Sequence, residues 1–198
     1  MKYPEIYNIE DIEVWKQTYM RKEILTNEWD LICHEVSTDV FEIPTLTNEF
    51  CDKFVEDNKE VEGESIMLWG NSCDDVKYPS NFDEIMVGII RDNVINALHH
   101  LWTIDVPSFQ KMTLDNHLVR FNKNQDLRVR HDSCLITCYM KMDSDSTGGE
   151  LFFPKYDFTL KPKQGHLYFF PGRLTHRYGI NLIKSGVNNS LFIYFMDK

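Results

Sequence analysis

The chain has 198 residues, of which 42% are hydrophobic and 13% aromatic, and its formal net charge is -10. This length and apolar content suffice for one well-buried core, so we expect a single domain spanning residues 1–198. The acidic charge argues against a nucleic-acid backbone or an anionic membrane as the partner, and it favours a cationic, Lys-rich peptide or protein substrate.

Two features of the sequence bear on the compartment. The N-terminal stretch MKYPEIYNIEDIEVW has acidic residues at short intervals and lacks the apolar segment of a signal peptide, and no apolar run is long enough to span a bilayer. Cys134 and Cys138 would lie roughly 13 Å apart along one strand, which is too far for a disulfide. We therefore expect reduced thiols and a cytoplasmic protein, in a host or viral setting.

The first part of the chain, about residues 1–110, is predicted to be mostly helical and to support the second part. Thr47 is placed to cap a helix in TNEFCDKFVEDNK. Ser80 and Asp83 have the spacing of a capping box before a long helix. The apolar residues of that helix recur at helical spacing, which predicts that it packs along a sheet: Met86, Ile90, Ala97 and Leu101. Between the two helices, LWGNSCDDVKYPSN is predicted to be a loop.

The second part, about residues 115–198, changes to the period-two pattern of strands. The predicted strands are HLVRF, RHDSCLITCYMKM, ELFF, DFTLK, HLYFF and SLFIYFM, with turn signals such as DSDSTGG and KPKQG between them. Short strands with tight turns at this density indicate an antiparallel sandwich or barrel. The expected fold is α+β and mainly β, with N-terminal helices that brace the sheets.

One constellation in the second part has the residue types of a metal site. In the long predicted strand from Arg130 to Met142, alternation places Asp132 on the face of the small apolar residues, which we expect to point inward. His176, in FFPGRLTHRYG, follows an aromatic strand and can point to the same place. An Asp on one strand and a His after another are two parts of the two-His, one-carboxylate triad that holds iron(II). Hydrogen-bonded polar residues without a metal are the competing interpretation.

Several motifs carry a resemblance to a known enzyme family. They are HLVRFNKNQDLRVRHDS, STGGELFFPKYDF, KPKQGHLYFFPGRLTHRYG and LFIYFMDK. In these motifs the chain resembles the iron(II)/2-oxoglutarate dioxygenases, and more closely the catalytic domain of the procollagen lysyl hydroxylases. The segments VWKQTYMRKEIL and DVFEIPTLTNEFCDKFVED extend the resemblance over nearly the whole chain. It implies a double-stranded β-helix, or jelly roll, that binds iron(II) and 2-oxoglutarate.

The family's functional residues can be carried over position by position. The metal carboxylate falls on Asp132 and the distal His ligand on His176. The remaining His ligand falls on Arg130, so Asp132 and His176 lack their third partner. The Arg that holds the far carboxylate of 2-oxoglutarate falls on Asn188 or Asn189, and neither amide supplies the charged bidentate fork of Arg.

Three arrangements are open at the metal position. A β-bulge at residues 130–132 would turn His131 inward, where it would join the other two ligands. Alternatively, Asp132 and His176 hold iron alone and Arg130 turns toward an anionic cosubstrate. In the third arrangement Arg130 pairs with Asp132, no iron binds, and the pocket takes an anion or a peptide. A guanidinium about 5 Å from a divalent cation repels it by about 6 to 7 kcal/mol at an effective dielectric of about 20.

Two functions therefore follow from the resemblance. The first is an oxygenase that hydroxylates a peptidyl lysine or proline. The second is a catalytically diverged jelly-roll protein that serves as a binding or scaffold module without the standard metal and cosubstrate site. Arg130 separates them, because it decides whether the chain is an enzyme. The resemblance also implies a homodimer, with Leu174 and its neighbours as candidates for the interface.

Overall fold

The computed structural model describes residues 2–7, 9–68, 71–76, 80–102 and 113–196. Its α-helices are α1 (Ile12–Tyr19), α2 (Lys22–Leu25), α3 (Trp29–Ile32), α4 (Asn48–Asn58) and α5 (Ser80–Trp102). Its strands are β1 (His34–Ser37), β2 (Val40–Pro44), β3 (Glu64–Leu68), β4 (Asn71–Val76), β5 (Thr113–Phe121), β6 (Leu127–Arg130), β7 (Ile136–Lys141), β8 (Thr147–Gly148), β9 (Leu151–Phe153), β10 (Phe158–Leu160), β11 (His166–Pro171), β12 (Tyr178–Ile180), β13 (Ile183–Ser185) and β14 (Asn188–Met196). Short 3-10 segments span Pro4–Ile6, Pro154–Tyr156 and Arg173–His176.

The strands form a large and a small antiparallel sheet that face each other. The large sheet has the order β1-β2-β11-β7-β14-β5-β4-β3, and the small sheet has the order β10-β9-β12-β6. A two-stranded ribbon, β13-β8, lies beside them. This is the predicted jelly roll, with α4 and α5 packed on the outer face of the large sheet. Across the described ranges, no helix combines the length and apolar character that a bilayer crossing requires.

The large sheet separates two apolar cores, and the position of β7 corrects one prediction. The single strand expected from Arg130 to Met142 is wrong, because β6 ends at Arg130 in the small sheet and β7 begins at Ile136 in the large one. The turn between them restarts the alternation. Cys138 and Met140 therefore face the helices, whereas Tyr139 faces the interior between the sheets.

The helices follow the predicted caps and faces. Thr47 Oγ1 accepts a hydrogen bond of 3.2 Å from Phe50 N at the start of α4, and the Phe50 and Phe54 rings stack at 5.9 Å. The expected face of α5 lies in the helix–sheet core: Met86, Ile90, Ala97 and, partly exposed, Leu101. The side chains of Ser80 and Asp83 lie outside the described ones, so their capping box stays a prediction.

The first part of the chain also contains strands that the pattern did not indicate. The segment predicted as a loop, LWGNSCDDVKYPSN, contains β4, which pairs with β3 and β5 and lengthens the large sheet. Asn, Ser and Asp are poor strand formers, but pairing on both sides satisfies the backbone and places Cys73 and Val76 in the cores. The hairpin of β1 and β2 extends the opposite edge of the same sheet.

Candidate functional site: a buried ion pair in the position of a metal

A bulge in β6 decides which side chains enter the jelly-roll interior. The pairs Tyr178↔Arg130 and Ile180↔Leu127 set three residue steps on β6 against two on β12, which leaves one extra residue. Leu127 is consequently buried, and the Arg130 side chain is only 13% exposed. The bulge lies before the position considered for His131, and His131 itself is exposed.

Asp132 follows this bulge and contacts one cation and one hydroxyl donor. Arg130 Nη2 lies 2.6 Å from Asp132 Oδ1, and Thr137 Oγ1 donates to Asp132 Oδ2 at 2.8 Å. The Asp132 side chain is only 3% exposed. An ion pair at this depth is only weakly screened by solvent, so the guanidinium supplies the positive charge that the carboxylate requires.

Two tyrosines complete the surroundings of the ion pair. Burial raises the pKa of Tyr178 and of Tyr194 well above the ordinary value, and the charges of Asp132 and Arg130 act on both hydroxyls. Burial alone would lower the pKa of Arg130, but Tyr178 and Asp132 outweigh it and the pKa is raised. Arg130 therefore stays a cation, while the hydroxyl groups of Tyr178 and Tyr194 stay neutral.

His176 is the last residue of the 3-10 segment Arg173–His176, which follows β11, and its side chain is buried. Its Nε2 lies 2.9 Å from the carbonyl oxygen of Thr38, and its ring lies 5.0 Å from that of Tyr156. Because a carbonyl only accepts, Nε2 carries the hydrogen and has no free lone pair for a metal. Burial lowers the pKa of His176 despite the bond to Thr38, which keeps the ring neutral near neutral pH.

Backbone contacts join the Asp132 turn to the His176 turn. Arg173 N donates to Asp132 O at 2.6 Å, and Gly172 N donates to Leu135 O at 2.9 Å. A side chain at position 172 would collide with the backbone carbonyl oxygen of Cys134, so this close approach requires glycine. The structure thus pairs Arg130 with Asp132 and joins their turn to the His176 turn through the backbone, while His131 is exposed.

The two asparagines considered for the cosubstrate lie on opposite faces of β14. Asn188 is fully buried on the interior face, where its Oδ1 accepts a bond of 2.6 Å from Ser190 Oγ. Within the described residues its Nδ2 has no hydrogen-bond partner. Asn189 points toward the helices, and its Oδ1 accepts from Arg120 Nε at 3.4 Å. Of the two asparagines, Asn188 is therefore the one that faces the interior, and the correspondence of either with the family's Arg stays a prediction.

The donor set of Asp132 and His176 does not fit the iron site that the family implies. The carboxylate of Asp132 is engaged by a permanent cation, and His176 offers an N–H to a carbonyl oxygen. Among the side chains that the structure describes, no three His, Cys, Asp or Glu residues are arranged to hold a metal ion. Asn188 itself presents a neutral amide to the interior, where the far carboxylate of 2-oxoglutarate would need the charged fork of an Arg.

A second buried carboxylate lies on β2. Glu42 Oε1 lies 2.7 Å from His166 Nδ1 and 2.9 Å from Lys163 Nζ, and it accepts a bond of 3.0 Å from the Tyr168 hydroxyl. A small cavity of 230 Å³ opens beside it, and Arg21 is among the lining residues. No local pattern indicated this cluster, because Glu42 on β2 is far along the chain from its partners in and just before β11.

Comparison with known proteins places the chain among characterised relatives. No family model matches it. It is 23% identical over 204 residues to human procollagen-lysine,2-oxoglutarate 5-dioxygenase 2, with 92% of this chain and 27% of that protein covered. It is 26% identical over 200 residues to the rat multifunctional procollagen lysine hydroxylase and glycosyltransferase LH3, with 88% and 26% covered. The chain thus spans about a quarter of the length of these curated relatives.

Solved structures give the same result for the fold. A viral collagen prolyl hydroxylase from Paramecium bursaria Chlorella virus-1, in complex with 2OG, superposes with a TM-score of 0.61 at 17% identity, covering 81% of this chain and 97% of that one. The chain has the fold of the iron(II)- and 2-oxoglutarate-dependent oxygenases. The resemblance to that superfamily, and within it to the lysyl and prolyl hydroxylases, is confirmed.

Three residues around the Arg130–Asp132 pair were not predicted from the sequence. Thr137, Tyr178 and Tyr194 surround the ion pair, yet none was a candidate site residue. Alternation along SLFIYFM could have indicated Tyr194, because it shares its face with Asn188. Thr38 could not have been found in this way, since it comes from a hairpin far away in the chain.

Proposed function

We propose that this chain is a diverged member of the oxygenase fold that binds a protein or peptide segment and does not carry out iron- and 2-oxoglutarate-dependent hydroxylation. The relatives are named for hydroxylation of procollagen, which is a protein substrate. We infer that partner recognition is retained on this fold while the chemistry is not. A hydroxylase that acts on a peptidyl lysine or proline is the function that the experiment below must exclude.

The observation that carries the proposal is the contact of 2.6 Å between Arg130 and Asp132. A divalent cation at this carboxylate would have to displace a guanidinium that cannot lose its proton. It would also have to compete with the Thr137 hydroxyl and break the bond from His176 to Thr38. Arg130 and Thr137 already contact the carboxylate oxygens of Asp132, and the Thr38 carbonyl already accepts from His176 Nε2. Metal binding is therefore opposed at both Asp132 and His176.

Anaerobic calorimetry with iron(II) tests this proposal. The native chain is expected to show no specific binding, whereas Arg130→His removes the guanidinium and supplies an imidazole beside Asp132. Arg128→His is the matched control, because Arg128 lies on the same strand and is exposed. We expect Arg130→His to bind iron(II) with a Kd in the micromolar range, about 8 kcal/mol, and Arg128→His to behave like the native chain.

Two results would overturn the proposal. One is micromolar iron(II) binding by the native chain, and the other is iron-dependent conversion of 2-oxoglutarate to succinate by native protein. Failure of Arg130→His to bind would leave the native site metal-free and would show that the contact between His176 and Thr38 is a second obstacle.

A further inference from the structure

We propose that a groove beside the His176 turn binds an acidic partner segment that carries an apolar side chain. The groove has a volume of about 430 Å³ and is lined by Val129, Pro154, Lys155, Leu174 and Arg177. We refer to it as the β6–β12 groove. This inference rests on the proposed function, since it names the class of partner that the fold would recognise.

The apolar part of the groove is unusually open. Leu174 is 69% exposed, more than any other large hydrophobic side chain in the described part of the chain. It lies on the 3-10 segment Arg173–His176, which turns His176 inward and Leu174 outward. One exposed leucine is ordinary on a protein surface. Here, however, Val129 and Pro154 line the same groove, so an apolar side chain of a partner would find several contacts.

The charged part of the groove is basic in a chain of net charge -10. Its lining contains Lys155 and Arg177 and no carboxylate. Lys155 Nζ lies 5.0 Å from the centre of the Tyr156 ring, and among the described side chains neither groove cation forms an ion pair with Asp or Glu. Charge complementarity therefore favours a partner that carries Asp or Glu.

This partner class differs from the Lys-rich one that the net charge of the whole chain suggests. Net charge governs long-range attraction, whereas the side chains in contact decide which segment fits a particular groove. A basic segment would meet Lys155 and Arg177 at short range. The local charges consequently outweigh the chain average at this surface.

The groove is also joined to the His176 turn described above. The Tyr156 hydroxyl lies 3.4 Å from the Thr175 carbonyl oxygen, and its ring lies 5.0 Å from that of His176. A bound segment would therefore lie against the same turn that holds His176. A second copy of the chain is the alternative occupant, and the sedimentation measurement below distinguishes it from an acidic segment.

Fluorescence anisotropy tests the inference with two short fluorescein-labelled peptides. One alternates Glu with Gly around a central Leu, and the other has Lys in place of Glu. We expect the native chain to bind the acidic peptide, with affinity that falls as salt is added, and to bind the basic peptide at least about tenfold more weakly. The double charge reversal Lys155→Glu/Arg177→Glu is expected to lower the affinity for the acidic peptide by about tenfold or more.

Two further variants make the result specific to the groove. Lys22→Glu/Lys123→Glu changes the net charge by the same amount at two exposed positions outside the lining, and we expect it to bind nearly as well as native protein. Leu174→Ser removes the exposed apolar side chain and should weaken binding without altering its salt dependence. Circular dichroism verifies that each variant is folded.

Three outcomes would overturn the inference. The first is equal binding of the acidic and the basic peptide. The second is an equal loss of acidic-peptide affinity in Lys155→Glu/Arg177→Glu and in its control, Lys22→Glu/Lys123→Glu. The third is dimerisation in analytical sedimentation that Leu174→Ser abolishes, while neither peptide binds. The last outcome would assign the groove to a second copy. Iron(II) calorimetry is independent of all three, so a failure of the groove can be told apart from a failure of the proposed function.

Discussion

Asp132 and Glu42 are both buried carboxylates, but the protein neutralises them in different ways. Asp132 is paired with Arg130, whose side chain is 13% exposed. Glu42 is paired with Lys163, whose side chain is 64% exposed, and with the half-buried His166. One carboxylate thus has a permanent and enclosed cation, whereas the other has one solvated cation and one imidazole whose pKa burial lowers below 6.5.

This difference bears on what each cluster can do. The Arg130–Asp132 pair contains a permanent cation, at two positions where the resemblance predicts metal ligands. The Glu42 cluster can gain or lose a proton, and it borders a small open cavity. We therefore expect the first cluster to serve mainly as a fixed internal replacement for a cation, and the second to respond to its surroundings.

The largest expected effect comes from breaking the enclosed pair. Arg130→Met leaves Asp132 buried with only the Thr137 hydroxyl, so we expect a loss of about 3 to 5 kcal/mol in the free energy of unfolding. Urea denaturation measures it. Arg130→Met/Asp132→Leu removes both charges and should recover most of that loss. A loss below about 1 kcal/mol in the single variant would mean that water reaches Asp132 and screens the carboxylate.

A smaller effect is expected at the second carboxylate. Glu42→Gln keeps an oxygen for the Tyr168 hydroxyl but removes the charge that Lys163 and His166 face. We expect a loss of about 1 to 3 kcal/mol by the same urea measurement. Glu28→Gln, at an exposed position, is the matched control and should change stability little. If Glu42→Gln lost more than Arg130→Met, the proposed contrast between the two clusters would be reversed.

Much of the fold could be predicted because it depends on short-range patterns. Thr47 and the apolar face of α5 follow from capping and helical periodicity, and the strands β9, β11 and β14 follow from alternation. The jelly roll came from the resemblance, which relies on the motifs around Asp132 and His176. These features were predicted correctly because the local conformational preference of the sequence agrees with the tertiary structure.

The features that escaped prediction depend on strand pairing. The bulge in β6 is defined only against β12, and β4 is a strand only because it pairs between β3 and β5. Likewise, the bond from His176 to Thr38 joins residues far apart in the chain. No local pattern encodes such contacts. The sequence therefore left three possible arrangements of Arg130 at the metal position, and it could not decide among them.

The pH dependence of stability should reveal the titrating cluster. Burial, together with nearby Arg21, lowers the pKa of His166 below 6.5, so the unfolded chain takes up this proton first and stability falls as the pH drops below 6.5. Burial of Glu42 favours a higher pKa, but hydrogen bonds from Lys163 and Tyr168 outweigh it and lower the pKa below 4.5. Its contribution is therefore present above 4.5 and is lost as the pH falls through the lowered value.

Urea midpoints measured from neutral to acidic pH separate these contributions. Glu42→Gln should flatten the decrease below pH 4.5, and His166→Gln should reduce the decrease that begins near 6.5. Some of the latter will remain, because burial also lowers the pKa of His176. Native and Glu42→Gln curves that run parallel throughout would show that Glu42 does not titrate in this way.

The smallest expected effect concerns the exposed partner of Glu42. Lys163→Met removes an ammonium group 2.9 Å from Glu42 Oε1, at a side chain that is 64% exposed. Water and salt screen such a pair, so we expect a loss of at most about 1 kcal/mol in urea denaturation, smaller still at high salt. Added salt should leave the effect of Arg130→Met nearly unchanged, since that pair is enclosed. Equal salt sensitivity in the two variants would contradict the contrast, because it would place both carboxylates in the same solvent environment.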